Sequence, residues 1–276
     1  MCSKNNNNIV PASRPACDIY EPVPIDTARL FAGRYRLHLK KIDSTNSFLL
    51  RNEKLLKVGG LVVTADAQTS GRGRKGRSWL NTGGQQLLAS VVIHPRLEKG
   101  YLPSVTIMVG LAIYKALHST GCRPLSMKWP NDILLNGKKV CGVLCELSTV
   151  DSQTAVVAGI GLNVTGSLED LPNHLQEKAS TLEAETGVVF DKEELLHEVL
   201  YQMEAVLTDA HEGKITNLYK EWERCSESIG KKVTFSHEGK QVAGEIAGLD
   251  HWGRLIVNIS HSNLPKALVA EEVQFV

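Results

Sequence analysis

The chain has 276 residues, of which 42% are hydrophobic, and a formal net charge of +1 at pH 7. This length suits one large domain plus a small one, and the near-neutral charge argues against bulk electrostatic binding to DNA or membranes. No apolar run approaches the roughly 20 residues of a membrane span, and the polar first ten residues lack a signal-peptide core, so we expect a cytoplasmic protein.

The cysteines and histidines do not form a recognisable metal or disulfide pattern. Six cysteines are spread thinly along the chain, which is consistent with reduced thiols. Cys141 and Cys145 are the one close pair, and a step of four residues along a strand puts them ~13 Å apart at ~3.3 Å per residue, too far to share a metal. The nine histidines show no ligand spacing. We therefore expect no protein-built metal site.

The first part of the chain changes character near residue 34. Residues 1–33 combine four consecutive asparagines with four prolines and few bulky apolar side chains, which predicts a loosely ordered arm. The alternation of Tyr35, Leu37 and Leu39 then predicts a strand. The following segment, residues 43–46, predicts the capped start of a helix of about three turns.

Two buried strands are predicted at residues 61–64 and 87–93, and a basic segment lies between them. Residues 71–77 contain four cations and three glycines, so this loop has a flexible backbone and a strong positive field. We expect it to be mobile until an anion such as a phosphate or carboxylate neutralises it. Trp79 follows with a flat ring that can stack on a base or cap the edge of a core.

The middle of the chain predicts a helix followed by a hairpin. Residues 103–117 have the apolar spacing of a long core helix. Asn136-Gly137 lies between apolar runs, and both positions of a type I′ turn require positive φ, which favours a hairpin here. Residues 128–132 lead into one arm, and residues 139–147 lie in the other. A further strand is predicted at residues 155–164.

The last part of the chain predicts two helices and a small β unit. The helices are expected at residues 191–209 and 214–225. After Gly230, short alternating segments separated by glycines predict an antiparallel barrel of about 45 residues. These patterns divide the chain into an arm (1–33), a main domain (34–229) and a C-terminal barrel (230–276).

The glycine-rich segments partly match three known kinds of nucleotide- or RNA-binding sequence. The basic loop nearly satisfies a Walker A pattern, but Arg77 stands where lysine is expected and no helix is predicted after the loop. Gly159-x-Gly161 lacks the third glycine and the helix of a dinucleotide-binding fold. RNA-binding arginine-glycine tracts are usually long and repeated, unlike this single loop between two strands.

The predicted hairpin brings together groups that suit phosphoryl or acyl-phosphate chemistry. Lys128, Asp132 and Lys139 all fall in it, near the basic loop. From spacing alone, residues 130–132 could be a simple turn and Lys139 an exposed strand lysine. Both alternatives stay open at this level.

Taken together, five segments resemble the motif series of biotin protein ligases in order and spacing. They are Asp43-Ser44-Thr45-Asn46, Gln68 ahead of Gly71-Arg72-Gly73-Arg74-Lys75-Gly76-Arg77-Ser78-Trp79, Lys128-Trp129-Pro130-Asn131-Asp132, Lys139-Val140-Cys141-Gly142, and Gly159-Ile160-Gly161-Leu162-Asn163. The resemblance runs from about residue 36 to the C-terminus. It implies an α+β fold, with a mixed sheet and flanking helices like those of class II aminoacyl-tRNA synthetases, followed by a small SH3-like β-barrel. The arm is too short for the helix-turn-helix of the repressor members, so the chain is similar to the catalytic-only group.

The resemblance also implies a two-step reaction. Such a ligase activates biotin to biotinyl-5′-AMP with ATP and then transfers biotin to a lysine of a biotin carboxyl carrier domain. ATP and biotin would be the substrates, with Mg²⁺ bound through ATP. Neither step needs an enzyme nucleophile; both need fixed cations that offset the repulsion between a carboxylate and a triphosphate. The implied partner is the carrier domain of a biotin-dependent carboxylase, with no nucleic acid or membrane and with a homodimer left open.

Residue roles follow from the same resemblance. Lys139 would bridge the biotin carboxylate and the α-phosphate, Arg74 would belong to the closing loop, and Asp132 would accept the proton of the incoming amine. The implied biotin-binding residues are Ser44, Thr45, Gln68, Gly71, Arg72, Arg74, Lys139, Gly142 and Gly161. The implied nucleotide-binding residues are Arg77, Trp79, Asn131 and Asn163.

Two other functions stay open. One is a lipoate or octanoate ligase or transferase of related fold, which uses a similar acyl-to-lysine logic. The other is a non-enzymatic anion- or RNA-binding module built on the basic loop. Binding of such a module to oligonucleotides would depend steeply on salt.

Overall fold

The computed structural model describes residues 21–80, 85–166, 169, 172–237, 240–259, 264–269 and 273–275. Most of the sequence-predicted arm and residues 81–84, directly after the basic loop, lie outside these ranges. The described residues form two β-sheets, with helices packed against the larger one.

The larger sheet has eight strands of mixed direction. They are β1 (Val23–Pro24), β2 (Ala32–Ile42), β3 (Gly60–Gln68), β4 (Gln86–Ile93), β5 (Leu125–Lys128), β6 (Asp132–Leu135), β7 (Lys138–Val150) and β8 (Gln153–Asn163). The order across the sheet is β1-β2-β3-β4-β8-β7-β6-β5. Strands β2 and β3 are parallel, whereas the other neighbours are antiparallel. The predicted strands and the hairpin at Asn136-Gly137 are confirmed, whereas β5 is absent from the sequence prediction.

Helices flank this sheet. They are α1 (Thr45–Leu50), α2 (Glu53–Leu56), α3 (Val105–Ser119), α4 (Asn173–Gln176), α5 (Leu182–Thr186), α6 (Lys192–His211) and α7 (Ile215–Cys225). The predicted long helix and the two later helices are confirmed as α3, α6 and α7. The predicted three-turn helix after residue 43 is wrong in length. Asn52 stops α1 because its side chain donates to the Phe48 carbonyl at 2.6 Å, which competes with continued helix, and α2 then starts separately.

The sheet separates two apolar layers, as the period of two along its strands requires. In β3, Val62 packs in the core that contains α3, α6 and α7, whereas Leu61 and Val63 pack on the opposite face against α1 and α2. All three side chains have no solvent exposure. The site described below lies where α1, the loop after β3 and the strands β6–β8 meet.

By length and composition alone, the helical stretch Lys99–Ser119, which ends in α3, is long and apolar enough to cross a membrane, although Lys115 interrupts its apolar residues. In its most apolar part, 61% of the residues are buried inside the protein. This burial is the pattern of a core helix, and Leu111 and Ile113 within it have no exposed surface.

The second sheet comes from the end of the chain and is antiparallel. Its strands are β9 (Lys232–His237), β10 (Lys240–Leu249), β11 (Leu255–Ile259), β12 (Lys266–Leu268) and β13 (Val273–Phe275), in the order β12-β11-β10-β9-β13. Phe235 and Ile246 from this sheet belong to the same apolar cluster as α3. Trp252 lies against Gly100, where an added Cβ would approach the indole ring to 2.2 Å. The α+β class, with a mixed sheet, flanking helices and a separate small antiparallel sheet, is confirmed.

We propose that the second domain begins at residue 230, between α7 and β9. For the N-terminal arm, we propose an end before Val23, because β1 already pairs with β2. The Glu204 carboxylate of α6 accepts hydrogen bonds from the backbone amides of Leu30, Phe31 and Ala32 at 2.7–3.0 Å. These bonds tie the last residues of the sequence-predicted arm to the main domain.

Shortening a side chain of the core helix α3 tests how much the buried layer contributes to stability. We expect Leu111→Ala to lower the free energy of unfolding by about 2–5 kcal/mol, because it leaves a cavity in a fully buried layer. Leu147→Ala is the matched control, since the Leu147 side chain is 58% exposed on β7. Urea unfolding of both variants measures the difference. Equal losses in the two variants would contradict this view of the core.

Candidate active site

One cavity of about 760 Å³ opens between α1, the basic loop and the strands β6–β8. This volume is within the ~300–1,000 Å³ range of small-molecule sites. Cations outnumber carboxylates among the residues that line it. The cationic side chains are Arg72, Arg74, Arg77, Lys128, Lys139 and Lys178, and the carboxylates are Asp132, Glu177 and Glu227. The cavity therefore suits an anionic ligand.

The basic loop folds back on itself rather than lying open. The Trp79 amide donates to the Gly71 carbonyl at 2.9 Å, and the Gly73 amide donates to the Arg77 carbonyl at 2.7 Å. The turn at its far end needs left-handed backbone at Lys75 (φ 56°) and Gly76 (φ 71°). The backbone thus has its own hydrogen bonds, while the mobility of the loop stays a prediction.

A polar cluster at the start of α1 forms one end of the cavity. Ser44 caps the helix by accepting a hydrogen bond from the Ser47 amide. The Gln68 side-chain oxygen accepts from the Thr45 amide at 2.7 Å and from the Thr45 hydroxyl at 3.1 Å. Ser44 and Thr45 are almost fully buried. Because β3 and α1 are tied together in this way, three of the predicted site residues have fixed positions.

A β-bulge between β6 and β7 places Lys139 at the cavity. Asp132 pairs with Gly142 and Ile133 with Cys141, but Leu134 pairs with Lys139, so Val140 is the extra residue. In a regular ladder Val140 would stand opposite Leu134, on the face shared with Asp132 and Gly142. The bulge instead puts Lys139 on that face and turns Val140 towards the core, where it is fully buried.

Lys139 is held by an ion pair and by its backbone. Its Nζ lies 2.6 Å from Asp132 Oδ1, and it sits 5.6 Å from the centroid of the Trp79 ring. Its amide donates to the Lys178 carbonyl at 2.8 Å, and its carbonyl accepts from the Ser180 amide at 2.9 Å. An ammonium so fixed can meet an oxyanion without reorganisation. The alternative of an exposed strand lysine is wrong for this residue.

Trp79 lies flat against two glycines. An added Cβ on Gly161 would come within 2.5 Å of the indole ring, and one on Gly142 would come within 3.0 Å of it. Only glycine at these positions lets the ring approach β7 and β8 so closely. The indole Nε1 is shielded from solvent and has no hydrogen-bond partner among the residues that the structure describes. The ring presents a flat apolar wall beside Lys139.

The side chains of the two asparagines that were predicted to bind the nucleotide form hydrogen bonds within the protein. Asn163 accepts a hydrogen bond from Gln86 at 2.9 Å and donates to the Ser180 carbonyl at 3.0 Å. Asn131 donates to the Val143 carbonyl at 2.9 Å. Both line the cavity, and these bonds show that each side chain holds the wall in place. Direct contact with a nucleotide stays a prediction.

Segment 172–180 forms a wall that the sequence prediction missed. His174, Leu175 and Lys178 line the cavity, although no motif marks them. The segment is anchored by Glu185, whose carboxylate accepts hydrogen bonds from Ser180 at 2.6 Å, Asn136 at 2.9 Å and Lys138 at 3.1 Å.

The pKa of Glu185 reflects this anchoring. Burial acts to raise it, but the three hydrogen bonds outweigh burial and lower the pKa below its usual 4.5. The carboxylate is therefore ionised at neutral pH. It joins the hairpin turn to the segment that fixes the Lys139 backbone.

All predicted site residues except Gly71 line this one cavity. Gly71 lies at the base of the loop, where an added Cβ would come within 2.6 Å of the Trp79 carbonyl oxygen. Its contribution is close backbone packing. The sequence prediction also missed Asn46, which lines the cavity, and Ser90 and Glu146, which form hydrogen bonds with Asn46. Glu146 carried a signal, because it is a lone carboxylate in an apolar strand.

The thiol near Lys139 is not a nucleophile. Cys141 is fully buried, and burial raises the pKa of its thiol well above the ordinary range. Burial likewise raises the pKa of Cys145 to about 12. Neither of these two thiols therefore supplies a thiolate at neutral pH. Cys141 thus fills space in the apolar core, whereas Cys145 is only partly exposed to solvent.

Comparison with known proteins gives a consistent set of likenesses. The model of the biotin/lipoate A/B protein ligase family matches residues 39–163, a segment that contains every sequence-predicted site residue. The bifunctional ligase/repressor BirA of Bacillus spizizenii is 29% identical over 199 residues, covering 72% of this chain and 61% of that protein. The chain therefore spans less than two thirds of the length of that relative.

Two further likenesses cover more of the matching protein. The biotin--[acetyl-CoA-carboxylase] ligase of Paracoccus denitrificans is 31% identical over 229 residues, which are 79% of this chain and 92% of that one. The structure of the biotin protein ligase from Aquifex aeolicus in complex with biotin and ATP matches with a TM-score of 0.69 and 29% identity. That match covers 87% of this chain and 94% of the other.

The packing of the Trp79 ring against Gly161 can be tested without any ligand. We expect Gly161→Ala to lower the free energy of unfolding by about 1–3 kcal/mol, because its new methyl overlaps the indole ring. In a Trp79→Ala background the same change has no ring to displace, and we expect its cost to disappear. Urea unfolding of the four proteins gives the coupling. An equal cost in both backgrounds would contradict the packing.

The Glu185 anchor predicts a pH dependence. Since its folded pKa is lowered, its contribution to stability is present above the usual value of 4.5 and is lost as pH falls through the folded pKa. We expect Glu185→Gln to have a lower free energy of unfolding than the wild type at pH 7. This gap in the free energy of unfolding should narrow as pH falls below 4.5. Glu183→Gln, on the same helix, forms none of these bonds and is the control. A gap that does not change with pH would refute this assignment.

Proposed function

The chain belongs to the biotin protein ligase family, and we propose that it joins biotin to a lysine of a carrier protein at the expense of ATP. The proposal rests on the convergence of Lys139, the basic loop and the Trp79 wall on one cavity. The named activity of the Paracoccus relative supports the same reaction class. Biotin and ATP appear in the name of the Aquifex complex, which supports them as the substrates here.

In the first step, the biotin carboxylate attacks the α-phosphorus of ATP. A P–O bond forms to the carboxylate, the bond between the α-phosphorus and the bridging oxygen breaks, and pyrophosphate leaves. Two anions must approach each other, so a fixed cation between them lowers the barrier. We propose Lys139 for this role; in support, the bulge directs its side chain into the cavity and its Nζ lies 2.6 Å from Asp132 Oδ1. Ser44, Thr45 and Gln68 would bind biotin at the α1 end.

The loop arginines would complete the site around the nucleotide. Arg74 and Arg77 line the cavity beside the Trp79 ring, which would flank the adenine. A guanidinium contacts phosphate oxygens in a planar, two-point manner that an ammonium cannot reproduce. The mixed anhydride is reactive towards water. A loop that closes over it would shield the intermediate until a carrier arrives.

In the second step, the amine of a carrier lysine attacks the acyl carbon of biotinyl-5′-AMP. A C–N bond forms, the C–O bond to phosphate breaks, and AMP leaves. The attacking amine must first lose a proton, and Asp132 would accept it, because it lines the cavity next to Lys139. The product is an amide, so the proposed class is a ligase that forms a carbon–nitrogen bond.

Magnesium would enter with ATP and supply charge neutralisation on the triphosphate. The described residues contain no group of three or more His, Cys, Asp or Glu side chains that could hold a metal. We propose that the ion is coordinated mainly by the nucleotide. In the two steps above, Lys139, Arg74 and Arg77 would offset negative charge and Asp132 would accept the proton.

Partners and location complete the proposal. The acceptor would be the biotin carboxyl carrier domain of a biotin-dependent carboxylase, as the name of the Paracoccus ligase suggests for that protein. We propose a cytoplasmic enzyme without a nucleic-acid or membrane partner. A homodimer remains a proposal on the same footing. A lipoate or octanoate ligase of the same family is the second candidate, since the matching family model includes lipoate ligases.

The reaction itself can be measured directly. We expect purified protein with Mg²⁺ and ATP to release pyrophosphate only when biotin is added, and not when lipoate replaces it. Incubation with a carrier domain should raise the carrier mass by one biotinyl group. Lipoate-dependent release would favour the second candidate. Absence of both activities, together with steeply salt-dependent oligonucleotide binding, would favour the non-enzymatic module.

The role of the lysine in the cavity can be separated from its effect on folding. We expect Lys139→Ala to slow pyrophosphate release by about 10²–10³-fold, the loss typical for one group that stabilises transition-state charge. Lys57→Ala is the control, because its ion pair with Asp151 lies away from the cavity. Circular dichroism should match the wild type for both variants. A Lys139→Ala enzyme with normal turnover would refute the assignment.

The shielding role of the loop predicts a different defect. We expect Arg74→Ala to form the adenylate but to release it about tenfold to a hundredfold faster, the effect of one charge-assisted hydrogen bond. Trapping of free biotinyl-5′-AMP by rapid filtration measures this rate. Arg96→Ala, an exposed arginine outside the cavity, is the control. Unchanged release from the Arg74 variant would overturn this role.

A further inference from the structure

We propose that Glu146 is a positioning residue of the basic loop: its carboxylate fixes Arg72, and through Arg72 the base of the loop, before any ligand binds. Anchoring of the loop by Glu146 does not require enzymatic activity, whereas the effect of Glu146 on biotin binding rests on the proposed function.

The contact between Arg72 and Glu146 is a two-point ion pair. Arg72 Nη2 lies 2.7 Å from Glu146 Oε1, and Nη1 lies 3.1 Å from Oε2. Nη1 also donates to the Ser47 hydroxyl at 3.2 Å. The Glu146 side chain is only 21% exposed, against 45% for Arg72. Fork-to-fork geometry and partial burial make such a pair stronger and more directional than an exposed one.

Glu146 is itself held by Asn46, a residue that lines the cavity. Its Oε2 accepts a second hydrogen bond, from Asn46 Nδ2 at 2.9 Å. Asn46 is buried, donates to the Leu144 carbonyl at 3.1 Å, and lies 2.6 Å from the Ser90 hydroxyl through its Oδ1. An added Cβ on Gly159 would come within 2.4 Å of that oxygen, so the packing leaves Asn46 little freedom. The carboxylate is therefore a fixed anchor.

Fixing Arg72 also fixes Ser78, which lies opposite it in the loop. Arg72 forms a backbone bridge with Ser78, and the next hydrogen bond joins Gly71 to Trp79. The ion pair thus sets the base of the loop and the approach of the Trp79 ring. At the far end, Lys75 and Arg77 are exposed. One cation of the loop is therefore neutralised from within the protein before any ligand binds.

Limited proteolysis tests the anchor without ligand. Trypsin can cut after Lys75 and Arg77, and Glu146→Gln keeps both sites, the side-chain size and an acceptor for Asn46. We expect the full-length variant to be cut in the loop about threefold to tenfold faster than the wild type, because the bidentate charge contact is lost. Glu193→Gln is the matched control. It removes a different arginine–glutamate pair, with Arg36, and does not line the cavity.

A double mutant makes the test specific. Arg72→Ala should also speed cleavage after Lys75 and Arg77, and adding Glu146→Gln to it should have no further effect. Unchanged cleavage of Glu146→Gln would overturn the proposal. So would equal acceleration in Glu193→Gln, which would point to general destabilisation, or additive effects in the double mutant.

Ligand binding supplies the second readout. With biotin and ATP, we expect Glu146→Gln to raise the KM for biotin several-fold, by about the same factor as the gain in cleavage, with a smaller change in kcat. Loss of kcat at unchanged KM would overturn a positioning role. If the wild type has no activity, the proposed function fails, while the ligand-free cleavage result still decides whether Glu146 anchors the loop.

Discussion

A single extra residue in one strand decides which way the central lysine of this site points. Val140 is unpaired in the ladder between β6 and β7, and this bulge exchanges the faces of Val140 and Lys139. Without it, a valine would line the cavity and an ammonium would face the apolar core, at a cost of several kcal/mol for an unpaired buried charge. The ion pair with Asp132, the contact with the Trp79 ring and the backbone bonds to segment 172–180 all depend on the side that Lys139 takes.

The cavity is strongly cationic, yet its positive charges do not stand without counterions. Asp132 pairs with Lys139, and Glu146 pairs with Arg72. Such pairs keep long side chains in one geometry before a ligand arrives, which avoids reorganisation when negative charge develops. An incoming anion must also compete with a carboxylate that already pairs with the same cation.

Local patterns were sufficient for most of the fold. The Asn136-Gly137 turn, the apolar runs of β3 and β4 and the spacing in α3 and α6 each depend on nearby residues, and each was predicted. The break at Asn52 was not, because a side chain that competes for its own backbone looks like any polar helix residue in the sequence.

The site was predictable to the extent that its residues lie in recognisable segments. The bulge at Val140 leaves no local mark, since two adjacent apolar residues also fit a regular buried strand. The wall at 172–180 and its anchor Glu185 depend on contacts with the Lys139 hairpin about 40 residues earlier. Glu146 was visible only as a charge among apolar neighbours, and its partner could not be inferred from spacing.

The two sheets share one apolar core. Phe235 and Ile246 of the small sheet belong to the same apolar cluster as α3, and Trp252 rests on Gly100 at the start of that helical stretch. Neither sheet can open without exposing part of the other's interior to water. The chain should accordingly melt as one cooperative unit, with a single calorimetric peak whose enthalpy scales with the whole molecule.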